Sequence, residues 1–333
     1  MKPAPGIQSP VQDVDRPFWS VMIPTYKPDP QYLDKALASV LQQDPGPDRM
    51  QIAVVDDQSP DDVAERAAMR AGPRVEFHRR ERNGGMAKNW NNAVDLARGE
   101  WVHLLHQDDL VLPGFYQKLS DGISERGDLG AAYVQHYLLD GGEGRRLMSD
   151  NPASEAGVVE NWMQYVFVYL SIQTPSVVVR RRVYEDLGGF REDFRYALDW
   201  DMWKRIAAKY PIWFDPEPLA CYRRHDDGAS MSFLASGGNM AEVRRSIDLS
   251  RNYLPPEDRE PMAKASRRRY SDLAIDAGVH ALVAWRDVRI AQAQFREARL
   301  FEVEGAFAPR VAKRIAAGFG RWVKDRLARP IRP

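Results

Sequence analysis

Two neighbouring carboxylates, Asp108 and Asp109, follow the apolar run WVHLL and precede Leu110-Val111-Leu112-Pro113. Adjacent acids at a strand end can hold a hard divalent cation, which fills its remaining positions with phosphate oxygens and water. The competing role is a cap ahead of Pro113. A second pair, Asp56-Asp57, ends the run QIAVV, and Pro24-Thr25-Tyr26 ends WSVMI. A carboxylate at such an edge can accept from a pyrimidine imide N–H or from ribose hydroxyls, with Tyr26 packed on the base. Equally, both acids can cap a helix expected from about Asp61.

Three further segments carry groups of interest. Arg82-Asn83-Gly84-Gly85-Met86-Ala87-Lys88 opens a helix, and glycines at a helix N-terminus let phosphate approach closely, helped by the helix dipole and by Lys88. A plain turn explains the same residues, and neither the P-loop nor the dinucleotide spacing is present. Asp199 begins the helical stretch DWDMWKRIAAKY, where an acid is ordinarily a cap. Tyr222-Arg223-Arg224-His225 follows the strand-like WFDPEPLACY, where a loop histidine is ordinarily solvated. Brought to the Asp108 cleft, Asp199 can act as a general base and His225 as a metal ligand.

The elements that must position these groups follow from periodicity. Short β-rich runs at 19–23, 51–55, 75–78 and 101–105 alternate with helical patterns at 31–43, 61–71 and 86–97. Such alternation predicts βαβ crossovers and a parallel sheet whose carboxyl edges form a cleft. The candidate acids then share that edge. After Asp109 the pattern loosens: AAYVQHYL and PSVVV read as strands, and NWMQYVFVYL as a helix or interfacial element. Its aromatics Trp162, Tyr165, Phe167 and Tyr169 suit either stacking on sugar or the core. From about Met240 to Val303 charged helical patterns dominate.

Composition sets outer limits. The chain has 333 residues, 44% hydrophobic and 28% charged, which fits a globular protein and excludes collagen-like, disordered and small disulfide-stapled classes. Lys plus Arg and Asp plus Glu are both 47, so wholesale binding to a polyanion such as nucleic acid is not implied. The single cysteine, Cys221, rules out an internal disulfide and fits a reducing compartment. No apolar run approaches the roughly 20 residues that span a bilayer, and MKPAPGIQSPVQDVDRP lacks a signal-peptide core. A cytoplasmic location is expected, with residues 1–17 a flexible tail.

Taken in order, VMIPTYK, AVVDDQSPDD, RNGGMAKNWNNAVDLARGEWVHLLHQDD, RRVYEDLGGFRED, LDWDMWKRIA and YRRH resemble glycosyltransferase family 2, the inverting nucleotide-sugar enzymes of the GT-A fold. The likeness covers about Trp19 to Ser232. It implies an α/β fold: a Rossmann-like, mostly parallel sheet flanked by helices over 18–232. Beyond the likeness, the charged helical patterns give a helical extension at 233–305, followed by a basic segment at 306–333. The likeness also implies that Pro24, Tyr26 and Asp57 meet the nucleotide base with Asp56 nearby. Asp108 would be the principal Mg²⁺ or Mn²⁺ ligand with Asp109 beside it, Asp199 the base, and His225 the histidine that completes the metal or diphosphate site. Arg223 and Arg224 can assist the leaving diphosphate. Two positions depart from the pattern: His106 replaces the first acid of Asp-x-Asp, and Leu198 the Glu of Glu-Asp. The retained acids are those that touch metal and acceptor, so an active enzyme in surface polysaccharide or glycolipid assembly is expected.

Two other classes compete. A sugar nucleotidyltransferase wants a Gly-rich, basic loop soon after the first strand, where this chain has Pro24-Thr25-Tyr26-Lys27-Pro28. A non-catalytic nucleotide-sugar-binding or scaffold protein is suggested by His106 and Leu198. Finally, Pro309–Pro333 holds eight Lys or Arg and one Asp. On a helix, Val311, Ile315, Phe319, Trp322, Val323 and Leu327 share one side, and Arg310, Lys313, Arg314, Arg321 and Lys324 the other. This pattern suits an anionic membrane surface bearing a lipid-linked acceptor, or packing on the catalytic domain or on a second subunit of a homo-oligomer.

Overall fold

The computed structural model describes residues 3–8, 16–140, 144–147, 152–169, 172–224, 229–301 and 307–327. The chain divides into two compact units, Met1–Val166 with Leu170–His225, and Phe167–Tyr169 with Asp226–Pro333. The first opens with the expected alternation: β1 (Trp19–Thr25), α1 (Pro30–Leu41), β2 (Met50–Asp56), α2 (Val63–Ala71), β3 (Glu76–Arg79), α3 (Met86–Leu96) and β4 (Trp101–Leu104). Every residue of β1 and β2 is buried, which is why their sequences are nearly continuous apolar runs. Beyond them come β5 (Leu110–Val111), α4 (Phe115–Ile123), β6 (Ala131–Asp140), β7 (Arg145–Leu147), β8 (Gly157–Val158), α5 (Trp162–Val168), β9 (Val177–Arg180), α6 (Arg181–Leu187), α7 (Leu198–Ala207) and β10 (Ile212–Arg224).

One sheet takes all ten strands, in the order β3-β2-β1-β4-β9-β6-β10-β5, with β7 beside β6 and β8 beside β10. Strands β1, β2, β3, β4, β6 and β10 run one way and β5, β7, β8 and β9 oppose them. Strand β1 lies between β2 and β4, so the chain order reverses there. Ligands of open α/β sheets bind outside the carboxyl ends of strands at such a reversal. The tight approach of the α3–β4 turn to β1 needs a glycine: a Cβ on Gly99 would sit 2.5 Å from Ser20 N. Ser20 Oγ accepts from Gly99 N at 2.7 Å and from Arg98 N at 3.0 Å, pinning β4 beside β1.

Of the aromatics in NWMQYVFVYL, Trp162 and Phe167 are buried, and the Tyr133 ring packs 5.1 Å from Trp162 and 4.7 Å from Phe214. For Trp162 and Phe167 the core role holds.

The N-terminal segment differs from the expected tail, because residues 3–8 are held by the fold. Gly189 N donates to Pro5 O at 2.8 Å, Gln8 N to Asp95 Oδ1 at 3.2 Å, and Arg181 Nη2 to Gln8 O at 2.7 Å, while Ile7 is buried. Arg181 itself is 1% exposed, and its other nitrogens reach Val94 O and Glu185, so the segment supplies a partner that a buried guanidinium requires. Removing residues 1–8 withdraws that acceptor and exposes one buried isoleucine side chain's worth of surface, about 1.5–3 kcal/mol. The expected result is a fall in melting temperature of about 4–8 °C by calorimetry. An unchanged melt would show that the segment adds nothing.

In the second unit α8 (Ala229–Ser236), α9 (Gly238–Ser250), α10 (Pro256–His280), α11 (Val288–Leu300) and α12 (Phe307–Leu327) pack together. The long charged stretch read as helix is broken after α10, where Arg286 takes φ +58° and Asp287 caps α11 through Arg289 N and Ile290 N. Helix α12 packs on α10, with Val311 and Ile315 half-buried and Arg310 and Arg314 bonded across to α10. Arg310 donates to Ser271 Oγ at 3.0 Å and to Asp272, and Arg314 to Asp276. Those two cations therefore lie on the packed face, against the expected division, because α10 presents carboxylates to them. Lys313 is exposed.

Candidate active site

The candidate acids do meet at the carboxyl edge of β1, β2 and β4, and each has a distinct local role. Asp56 is fully buried. Its oxygens accept from Ser59 Oγ at 2.5 Å, Ser59 N at 3.0 Å, Thr25 Oγ1 at 3.3 Å and Arg79 Nε at 2.9 Å. Asp57, 2% exposed, accepts from Arg80 Nη1 at 2.5 Å, Gly84 N at 3.0 Å and Gly85 N at 2.8 Å. Neither caps α2. The backbone donors expected to meet phosphate instead meet the Asp57 carboxylate, so the glycine loop is folded around an anion of its own chain. Pro24 is buried in β1, and Tyr26 is 44% exposed. Gln107 staples the loops after β1 and β4: its Oε1 accepts from Tyr26 N at 2.9 Å and its Nε2 donates to Tyr26 O at 3.3 Å.

Helix α3 carries the support for this edge. Asn89 Nδ2 donates to Val55 O at 2.9 Å and Thr25 O at 3.4 Å, tying the helix to the ends of β2 and β1. Asn91 exchanges two bonds with the backbone of Phe190, at 2.9 and 2.7 Å. Between them Trp90 lies 4.8 Å from the His106 ring, tilted 32°, and meets Phe190 edge-on at 5.0 Å. Lys88 is half-exposed, with Nζ 3.8 Å from Glu192 Oε2.

The turn after β4 gathers His106, Asp108 and Asp109, with ligand atoms all within 4.8 Å of one another. Asp109 is fully buried: its Oδ1 accepts from Arg223 N at 2.7 Å, and its Oδ2 has no hydrogen-bond partner among the described residues, although His106 Nδ1 is 3.1 Å away. Burial, with the charge of Asp108, pushes the Asp109 carboxyl up to about 6 against the opposing pull of His106. Burial works to lower His106, but its neighbours Asp109, Asp108 and Asp199 win and hold it above the ordinary imidazole value. Two carboxylates and an imidazole around an orphaned buried oxygen suit a divalent cation.

Asp199 is the second residue of α7. Ala197 holds the N-cap position, and the Asp199 Oδ1 accepts from the adjacent Trp200 N, at 2.7 Å. Burial pushes its carboxyl up to about 6, opposed by that N–H and by His106. Asp201, two residues on, is fully buried in ion pairs with Arg205 and Arg191 at 2.9 and 3.3 Å, and Arg205 in turn holds the carbonyls of residues 187–189. Leu198, also buried, fills core. Tyr196 and Tyr222 have phenols raised first by burial and then by acids: Asp199 for Tyr196, and Asp109 and Asp199 ahead of others for Tyr222. Tyr196 escapes sequence reasoning, since nothing in its spacing marks it, whereas Tyr222 opens the Tyr222-Arg223-Arg224-His225 segment, where no residue pattern assigns it a role of its own. Arg223 is buried, its Nε donating to Asp108 O at 3.0 Å and its guanidinium 4.2 Å from the Tyr32 ring. Arg224 is exposed at the end of β10, and His225 lies outside the described residues.

A Rossmann-like sheet with an acid cluster at its carboxyl edge is the architecture of GT-A glycosyltransferases. Residues 20–187 match the model of glycosyl transferase family 2, and the chain belongs to that family. It is 31% identical over 262 residues to the uncharacterised protein MT1568 of Mycobacterium tuberculosis (strain CDC 1551 / Oshkosh), covering 72% of this chain and 78% of that one. Among solved structures it resembles S. aureus TarS 1–349 in complex with UDP-GlcNAc, with TM-score 0.59, 15% identity, and 85% and 91% of the two chains covered. It also resembles the mannosyltransferase PcManGT from Pyrobaculum calidifontis in complex with GDP-Man and Mn²⁺, with TM-score 0.53, 19% identity, and 90% of each chain covered. These likenesses establish the fold. Among the described residues no helix is long and apolar enough to cross a membrane.

Proposed function

We propose that this glycosyltransferase is inverting and metal-dependent, moving a sugar from a UDP or dTDP donor to a hydroxyl of a saccharide or lipid-linked acceptor in surface polysaccharide or glycolipid assembly. The observation that carries the reading is Asp199, a carboxylate raised by burial to about 6 and in electrostatic contact with His106, which clusters with Asp108 and Asp109. One inverting displacement needs one base. The acceptor hydroxyl attacks the anomeric carbon and gives its proton to Asp199, through the oxygen that Trp200 N–H does not occupy. The new C–O bond forms as the bond from the anomeric carbon to the phosphate oxygen breaks, and the nucleoside diphosphate leaves. A divalent cation held by Asp108 and Asp109 supplies electrostatic relief for that leaving charge. Arg223 fixes the Asp108 backbone, and Arg224 stands at the same strand end for the diphosphate. Lys88 and His225 are assigned to the phosphates and to the cation.

Nucleotide choice falls to Asp57, with Pro24 and Tyr26 shaping the pocket and Asp56 holding its turn. Arg80, Gly84 and Gly85 already engage both Asp57 oxygens, with Gly84 N shared between them. The imide N–H of uracil or thymine is assigned to this carboxylate by taking the place of one of those donors. Calorimetry is expected to rank UDP or dTDP above GDP in the presence of Mn²⁺, and a panel of UDP-, dTDP- and GDP-sugars should show turnover in the same order. Tighter binding of GDP overturns the donor assignment.

The acceptor reading places the protein peripherally on the cytoplasmic face of an anionic membrane, through Pro309–Pro333. With Arg310 and Arg314 engaged by α10, Lys313 and the cations beyond it carry the attraction. Deleting Pro309–Pro333 is expected to abolish co-sedimentation with phosphatidylserine vesicles. If the full-length chain does not sediment with them, the membrane assignment fails.

A further inference from the structure

We infer that His106 supplies a nitrogen ligand to the divalent cation of this site, so that the cluster selects Mn²⁺ over Mg²⁺. The inference rests on the metal-dependent reading above and specifies what this chain's own ligand set does to it. The cluster of His106, Asp108 and Asp109 is the only one of its kind among the described residues. An all-oxygen set of two acids serves Mg²⁺ well, because that ion prefers oxygen and keeps most of its waters. An imidazole changes the balance, since ring nitrogen favours first-row transition ions.

Three observations make His106 a ligand rather than a bystander. Its ring is oriented from behind: Trp90 lies against it at 4.8 Å, tilted 32°, Phe190 braces Trp90 edge-on at 5.0 Å, and Asn91 grips the Phe190 backbone with two hydrogen bonds. Aromatic packing of this kind fixes the ring plane while leaving the ring nitrogens for other partners. Next, binding capacity is unspent on both sides of the pair. Asp109 Oδ2 is fully buried without a hydrogen-bond partner, His106 Nε2 is buried in the same condition, and Nδ1 stands 3.1 Å from that oxygen. Buried polar atoms are rarely left so, and a shared cation satisfies carboxylate and imidazole together. Lastly, the turn brings the Asp108 carboxylate to the same point, with all three ligand atoms inside 4.8 Å. A histidine serving only as an ion-pair partner of Asp109 would engage Nδ1 alone and leave the buried Nε2 without a partner.

The test uses the full chain with Mn²⁺, with and without UDP. Pulsed electron paramagnetic resonance of the bound Mn²⁺ is expected to show ¹⁴N modulation from a coordinated imidazole, and His106→Asp should remove it. In that variant the ratio of Mg²⁺ to Mn²⁺ dissociation constants, from competition titration, should fall by about tenfold or more. Circular dichroism checks that the variant folds, while the wild-type spectrum tests the assignment by itself. Bound Mn²⁺ without nitrogen modulation, or modulation that survives His106→Asp, overturns the inference and leaves the metal reading standing. No Mn²⁺ binding by the wild-type chain, even with UDP, overturns both.

Discussion

Asp108→Ala is expected to reduce sugar transfer by about 10²–10³-fold or more while the melting temperature moves by less than about 1–2 °C. The size of the activity loss follows from removing a principal source of charge stabilisation for the leaving diphosphate. The small stability change follows from how the residue is used. Asp108 is only half-buried, and one of its contacts, to Arg223 Nε, is made by its backbone carbonyl, which alanine keeps. Loss of the carboxylate also relieves the repulsion that helps to raise Asp109. Transfer assays with excess Mn²⁺ and thermal melts on the same preparation check both halves. Full activity in this variant, or in wild-type enzyme treated with EDTA, removes the metal assignment.

Asp199→Asn is expected to cut transfer by about 10²–10⁴-fold at pH 7.5. The amide preserves an acceptor for Trp200 N–H but takes no proton. Stability should hold or rise. An acid whose folded value is lifted from 3.8 to about 6 keeps its proton in the folded state while the unfolded chain has already lost it, so stability falls as pH climbs from about 4 to 6. Asparagine has no such charge to bury. The wild-type rate should climb with pH through about 6 and level off above it, because the base works only when deprotonated. A variant that turns over near the wild-type rate, or a wild-type profile flat from pH 5 to 8, assigns the base elsewhere. Asp201 is a poor substitute, being spent in ion pairs with Arg205 and Arg191.

The first four strands and three helices were legible because β1 and β2 are buried on both faces and leave uninterrupted apolar runs, while α1 and α3 show one apolar side. The alternation of strands and helices alone puts Asp57, Asp108 and the loop after β1 on the carboxyl edge of a parallel sheet. What could not be seen is which donors meet which acceptors. Gly84 and Gly85 look like a phosphate cradle, yet Asp57, 27 and 28 residues away in sequence, takes their N–H groups. Arg310 and Arg314 look solvent-facing on a wheel, which knows nothing of the acids on α10. Residues 3–8 have the composition of a tail and are held by Arg181 and Gly189, partners more than 170 residues distant. Tyr196, Tyr222 and Gln107 gain meaning only through proximity. Local pattern fixes elements, whereas long-range polar pairing is decided by packing.

The two departures from the family's acid pattern are unequal in how easily they can be undone. His106 sits on a turn with 22% of its side chain exposed, and an aspartate there would keep solvent for its charge. Leu198 is 2% exposed, and a glutamate in its place would carry a charge into core without a partner provided for it. One position is thus an open door, the other a ratchet. A lineage that accepted leucine at 198 can return to the acid only after neighbouring core residues have changed first, and directed evolution of this enzyme should recover acidic variants at 106 long before it recovers any at 198.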